Sequence, residues 1–167
     1  MASVTDAVVR KSITEPVIKQ IVVETSQEHA FRVFTDGIHR WWPREHHIGT
    51  APLTEAVIEG RAGGRCYSTQ ADGTECDWGQ ILAWDPPHRF VLAWQINPEW
   101  KYEPDLAKSS EVEVRFTPEP GGGTRVDLEH RRFDRMGPGG QSMRDGVDAP
   151  GGWGTLLEMF KARAEQS

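Results

Sequence analysis

The sequence has only two cysteines, Cys66 and Cys76, among 167 residues. Two residues cannot build the disulfide framework of a small secreted scaffold, and their spacing is too wide for a Cys-x-x-Cys redox pair. They read as reduced thiols, with a single bridge across the ADGT turn as the alternative. No apolar run approaches the roughly 20 residues that cross a bilayer. The opening MASVTDAVVRK lacks the apolar stretch of a secretory signal. Membrane insertion is therefore not expected, and the cytoplasm is the expected compartment. A basic tract is missing too. Lys and Arg number 19 against 25 Asp and Glu, for a formal net charge of -6, and the densest cluster, HRRFDR, is flanked by acids. The charge attraction that dominates nucleic-acid binding is absent, so neither nucleic acid nor an anionic membrane is an expected partner. The stretches PGGG and GPGG lack the Lys-Ser or Lys-Thr ending of a phosphate loop. They read as turns and hinges, and no cofactor is expected.

Tryptophan is what the chain does have. Seven tryptophans stand beside two tyrosines in a sequence that is 37% hydrophobic. Large rings supply buried area without raising the apolar residue count. The length suits one domain with its own core. We expect that domain over residues 16–167, with 1–15 a flexible tail or an added edge strand.

Along the chain, VIKQIVVET is β-branched and partly alternating, which predicts a strand over 17–25. The period then changes. Ser26 can cap a short helix whose apolar side carries Ala30, Phe31, Val33 and Phe34, with His29 at the box position. A second short helix, IHRWW, stops at Pro43. From residue 53 about six strands follow, separated by turns at GRAGG, ADGT and DPPH. In HRFVLAWQI, His88, Phe90, Leu92, Trp94 and Ile96 share a face. The next hairpin puts Val112, Val114 and Phe116 opposite Val126, Leu128 and His130. Its Glu111, Glu113, Arg115, Asp127, Glu129 and Arg131 face the other way, as in an antiparallel sheet with one wet side. Residues 134–152 read as a glycine-rich loop or irregular helical lead-in, able to move and admit a ligand. Trp153, Leu156, Leu157, Phe160 and Ala164 then mark an amphipathic terminal helix.

SQEHAFRVFTDGIHRWW resembles the opening of the START-like (SRPBCC) proteins related to the activator of Hsp90 ATPase. APGGWGTLLEMFKARA resembles the last helix of the same family, and the likeness runs in ordered segments over about residues 17–164. The resemblance implies an α+β helix-grip fold, a curved antiparallel sheet around a long C-terminal helix. It also implies a cavity between the two that takes a hydrophobic or amphipathic small molecule. A minority of such proteins carry out cyclase, hydrolase or dehalogenation-like chemistry. The family name implies a chaperone partner and a place in the stress response. Full chaperone activators of this lineage usually carry a further chaperone-binding domain, for which this chain has no room. Trp41, Trp42, Trp153 and Leu157 fall on positions of the family pattern, and no family catalytic set maps onto the chain.

Several residues bear on function. His39, His46 and His47 lie close in sequence, but adjacent histidines diverge in an extended segment and the spacing of a zinc site is missing. They read as a polar loop or a cavity rim, and no metal is expected. Trp41, Trp42, Trp78, Phe90, Trp94, His130, Trp153 and Leu157 are the candidate ligand-binding set, with a fully packed aromatic core as the alternative. His130 has inward parity, and a buried imidazole requires partners. It is a satisfied histidine, paired with Glu24 or another acid, or a ligand contact, or an acid–base group. Cys66 is a candidate nucleophile with His130 as its base, provided the two meet. Arg132 can bind a carboxylate at the mouth. The leading expectation is a ligand-binding protein. A chaperone-interacting protein and an enzyme using the same cavity are the alternatives, and a homodimer remains open.

Overall fold

The computed structural model describes residues 12–43 and 51–166. Strand β1 (Val17–Val23) leads into helix α1 (Gln27–Phe34). Ser26 starts that helix as expected, its Oγ accepting from the His29 amide at 3.2 Å. Thr35 ends it, with both its amide and its hydroxyl donating to the Phe31 carbonyl. A short helix α2 (Ile38–Trp41) follows at once, because Gly37 lets the chain turn tightly. A Cβ on Gly37 would sit 2.9 Å from the Val33 carbonyl oxygen.

Six strands come next: β2 (Leu53–Ile58), β3 (Arg65–Gln70), β4 (Glu75–Asp85), β5 (Arg89–Trp94), β6 (Ser110–Pro118) and β7 (Thr124–Arg131). They form one curled antiparallel sheet with β1, in the order β1-β7-β6-β5-β4-β3-β2. The chain thus meanders from one edge toward the other, and β1 returns beside the last strand. The ADGT turn between β3 and β4 uses Gly73 at φ +86°, while Asp72 Oδ1 accepts from the Thr74 amide and hydroxyl. Gly121 and Gly122, at φ +100° and +105°, do the same for the β6–β7 hairpin, since only glycine takes such angles without strain.

Strand β4 breaks the simple alternation twice. The register shifts where Trp78 lies opposite the Cys66–Tyr67 step, and again between Ile81 and Ala83. Each bulge reverses the facing of all later residues. Two reversals cancel, so Trp78 and Trp84 both face inward, as their parity suggests.

The outer face is drier than its composition implies. Glu113 is only 5% exposed, because Arg89, Arg115 and Arg131 close over it at 3.1, 2.8 and 2.6 Å. Burial raises its pKa, but hydrogen bonds from Arg115 and Arg131 outweigh that and hold it down to about 2. Val91 and Ala93 are buried on the same strand pair.

Of the two forms expected for the glycine-rich segment after β7, the structure has the helical lead-in rather than the loop. A 3-10 turn at Phe133–Met136 leads into helix α3 (Gly140–Asp148). Arg144 explains why this sequence can fold so. Its guanidinium is buried, donates to the carbonyls of Glu15 and Pro16, and pairs with Asp148. These bonds fasten α3 to the start of β1. Helix α4 (Trp153–Gln166) then buries Trp153, Leu156, Leu157, Phe160 and Ala164, the predicted apolar stripe. It packs on β1 and α1, and one hydrophobic core joins it to the sheet.

Candidate functional site

The core between sheet and helices has two chemically different ends. At one, Phe31, Phe34, Phe90, Phe116, Phe160 and Trp84 meet mostly edge to face, with ring centroids 4.9–6.4 Å apart. This end is closed by its own side chains. Trp41 joins it to the other end. Its ring touches Phe34 and Phe160 on one side and Trp42 on the other, and its Nε1 donates to the Val33 carbonyl at 2.9 Å.

The second end is built from tryptophan and one histidine. Trp42 lies almost parallel to Trp78, with centroids 6.3 Å apart, and edge-on to Trp153 at 6.0 Å. Trp94 lies 6.4 Å from Trp78, 5.7 Å from Trp153 and 5.1 Å from His130. Phe133 covers His130 at 4.5 Å. Trp42 is half-buried, while Trp78, Trp94 and Trp153 are buried, so the set reaches the surface at Trp42.

His130 is the polar centre of this end and is 0% exposed. Trp153 Nε1 donates to its Nδ1 at 3.0 Å. Its Nε2 lies 2.8 Å from Ser110 Oγ. An indole nitrogen can only donate, so Nδ1 must be the bare, accepting nitrogen. The neutral ring then carries its proton on Nε2 and donates it to Ser110. Burial favours the same state and pushes the His130 pKa down to about 3. The acid partner, Glu24 or another, is thus not what satisfies His130; an indole and a hydroxyl do.

One polar atom stands apart. Among the described residues, Trp94 Nε1 is the single buried side-chain nitrogen or oxygen without a hydrogen-bond partner, on a residue 5% exposed. Leaving such a donor unpaired costs about 1–3 kcal/mol.

Of the eight residues expected to bind ligand, Trp42, Trp78, Trp94, His130 and Trp153 come together here, and Trp41 borders them. Phe90 belongs to the phenylalanine end, and Leu157 is buried one turn further along α4. Cys66 is buried on β3, with three strands between it and β7, and burial pushes its thiol pKa up. His130 has no nitrogen left for it. Cys76 is half-buried, and both thiols are free rather than bridged. Arg132 takes φ +69° just after β7 and faces Asp134 at 3.5 Å. His39 lies on α2, while His46 and His47 fall outside the described residues. No group of three or more His, Cys, Asp or Glu side chains arranged to hold a metal occurs among the described residues. Ser110 and Phe133 were missed by sequence reasoning. Ser110 was readable: it shares the inward parity of Val112, Val114 and Phe116.

A separate groove of about 260 Å³ lies on the face of α1 turned from Phe31 and Phe34, lined by Arg32, Asp36, Arg40 and Arg163 among others. No helix of the described residues is long and apolar enough to cross a membrane.

A curled antiparallel sheet closed by a C-terminal helix, with a mixed aromatic and polar interior, defines a START-like helix-grip protein. The chain belongs to the activator of Hsp90 ATPase homolog 1-like family, which it matches over residues 24–165. Among solved structures it is similar to an anthrahydroquino-γ-pyrone synthase, Txn09, solved as a complex. Identity is 39%, covering 91% of this chain and 99% of that one, with a TM-score of 0.63. It is also similar to CalC, a self-sacrificing resistance protein from Micromonospora echinospora. There the identity is 29%, the cover 93% and 97%, and the TM-score 0.64. Protein NE0264 from Nitrosomonas europaea shares the fold at 16% identity, with 93% and 97% cover and a TM-score of 0.65. No curated protein matches the chain.

Proposed function

We propose that this protein binds a small, planar, oxygen-bearing aromatic molecule at its tryptophan end. The observation that carries the reading is the unpartnered Trp94 Nε1–H, buried beside a Trp153–His130 pair whose own ring nitrogens are hydrogen-bonded. A ligand oxygen placed there would satisfy that donor. The surrounding indoles would bury the ligand's flat apolar surface, which supplies affinity, while the few polar groups set orientation. Trp42, half-buried at the edge, is the natural place of entry. The likeness to a protein named as a synthase of an anthrahydroquino-γ-pyrone supports a fused-ring aromatic as the ligand class.

The same likeness favours a second reading, in which the site also catalyses ring chemistry on the molecule it holds. His130 would not be the base in such a reaction, because both its ring nitrogens are engaged. Its part would be to orient Ser110. The chaperone-interacting reading draws on the family name alone, and a homodimer has no residue on its side here.

Titration with 9,10-anthraquinone, followed by tryptophan fluorescence and native mass spectrometry, tests the binding reading. Saturable quenching with one molecule retained per chain is expected, weakened at least tenfold by Trp42→Ala. Absence of binding by anthraquinone and by other fused-ring aromatics would overturn it.

A further inference from the structure

Trp94 and Ser110 are direct cross-strand partners in the β5–β6 register. Residues so paired project from the same face of the sheet, with Cβ atoms about 4.5–5.5 Å apart. Ser110 and His130 are diagonal neighbours on β6 and β7, since His130 lies opposite Val112. All three side chains thus converge beneath Trp153.

The hydrogen-bond directions in this group follow from a single fact. Trp153 donates to His130 Nδ1. A protonated His130 would face that indole hydrogen with a second hydrogen, so geometry alone requires the neutral ring with its proton on Nε2. That proton is donated to Ser110 Oγ at 2.8 Å. Ser110 is therefore the acceptor in this pair, and its own hydrogen must point elsewhere. No other side-chain hydrogen bond of Ser110 is found among the described residues, and the residue is 0% exposed. Two hydrogens, one on Trp94 Nε1 and one on Ser110 Oγ, are thus buried on cross-strand partners without an acceptor among the described residues.

We propose that the Trp94 indole N–H and the Ser110 hydroxyl form a two-donor seat for one oxygen of the ligand, and that this oxygen is a phenolate, enolate or quinone oxygen on an aromatic ring. His130 is a positioning residue: by donating to Ser110 it turns the hydroxyl outward as a donor. The inference rests on the ligand-binding reading above and names the ligand group that reading leaves open. Two fixed donors in a dry site favour negative charge on the oxygen they hold, as oxyanion holes do. A phenol seated here gives its proton to bulk water more readily than it does in solution.

The test uses two probes. 2-Hydroxyanthraquinone changes colour on ionisation, and anthracene has a similar flat shape but no oxygen. In the wild-type protein both should bind, and the ionisation midpoint of bound 2-hydroxyanthraquinone should fall by about one pH unit relative to free dye. Trp94→Phe and Ser110→Ala should each remove most of that shift while leaving anthracene affinity within about threefold, since the apolar walls remain. The Trp94 indole N–H resonance, assigned by its loss in Trp94→Phe, should move downfield with 2-hydroxyanthraquinone and not with anthracene. If both probes bind but the midpoint is unmoved in the wild-type protein, or stays at its wild-type value in both variants, the donor seat is wrong and the binding reading stands. If neither probe binds the wild-type protein, both fall. Thermal unfolding of each variant verifies that it is folded. Trp94→Phe serves as the decisive variant should Ser110→Ala, which strips the acceptor from His130, lose its fold.

Discussion

Trp153, the first residue of the last helix, donates its indole hydrogen to Nδ1 of His130, near the end of the last sheet strand, at 3.0 Å. The bond ties helix to sheet in the middle of the core. It also fixes a histidine in one tautomer, and through that the direction of a serine hydroxyl on the next strand. Packing and polarity at the tryptophan end are thus set by the same contact.

Replacing His130 should reveal how much of that tie is structural. His130→Ala leaves a cavity and strands the Trp153 donor, and should cost about 2–4 kcal/mol in urea unfolding. His130→Gln keeps a carbonyl to accept from Trp153 and an amide to donate to Ser110. It should cost less than half as much. Equal losses would mean that ring volume, not the directed pair of hydrogen bonds, is what matters.

Stability should fall as the solution is acidified. In the native chain His130 titrates near 3, against an ordinary 6.5. As pH drops, the unfolded chain therefore takes up this proton first. The contribution is complete above about 6.5 and is lost by up to about 1.4 kcal/mol per pH unit on the way down to about 3. Glu113, held near 2 against an ordinary 4.5, adds a loss in the same direction only below about 4.5. The range between pH 6.5 and 4.5 separates the His130 contribution from that of Glu113. Unfolding curves across it should slope in the wild-type chain and be flatter in His130→Gln, and identical slopes would refute the assignment.

Two tryptophans of the same cluster should respond oppositely to phenylalanine. Both substitutions remove the same ring volume. Trp94→Phe also removes a buried donor that has no partner, while Trp153→Phe strips the Nδ1 atom of His130 of its donor. Trp153→Phe should be the less stable by about 2 kcal/mol or more, from the difference between relieving and creating an unpaired group. Matching melting temperatures would show that Trp94 Nε1 has an acceptor after all.

Much of this architecture is legible in the sequence, for identifiable reasons. Strict alternation in Val112–Phe116 and Val126–His130 fixes which side chains enter the core, because strand periodicity permits no other choice. Ser26 marks the start of α1 by the hydroxyl it offers to an amide. Helix α3 was legible only as one of two readings, an irregular helical lead-in beside a loop, because glycine at 137, 139, 140 and 146 argues locally for a loop. What overrides it is tertiary: Arg144 bonds to carbonyls some 128 residues away. The dryness around Glu113 was hidden, since three arginines from three strands must converge to produce it. At the site, parity brought His130 inward, but its indole partner Trp153 depends on where α4 begins, which no strand pattern encodes. Phe90 was assigned to the ligand set because it shares a face with Trp94. Along one face of a strand, however, two residues four apart lie about 13 Å from each other, enough to put them at opposite ends of the core.

Cys66 supplies the sharpest separation between packing and chemistry. A nucleophilic cysteine must be ionised and accessible, with a base in reach. Cys66 is 0% exposed, and desolvation first, with Glu59 and Asp77 adding negative charge nearby, drives its pKa upward. Cys76 is shifted in the same direction by burial and by Asp77, but it is half-buried rather than enclosed. Iodoacetamide at pH 8 should therefore modify Cys76 slowly and Cys66 only when the protein is unfolded by denaturant, at a rate that follows global unfolding. Peptide mass mapping distinguishes the two sites. Rapid labelling of Cys66 in the folded protein would restore it as a nucleophile and would require β3 to open without the rest of the sheet.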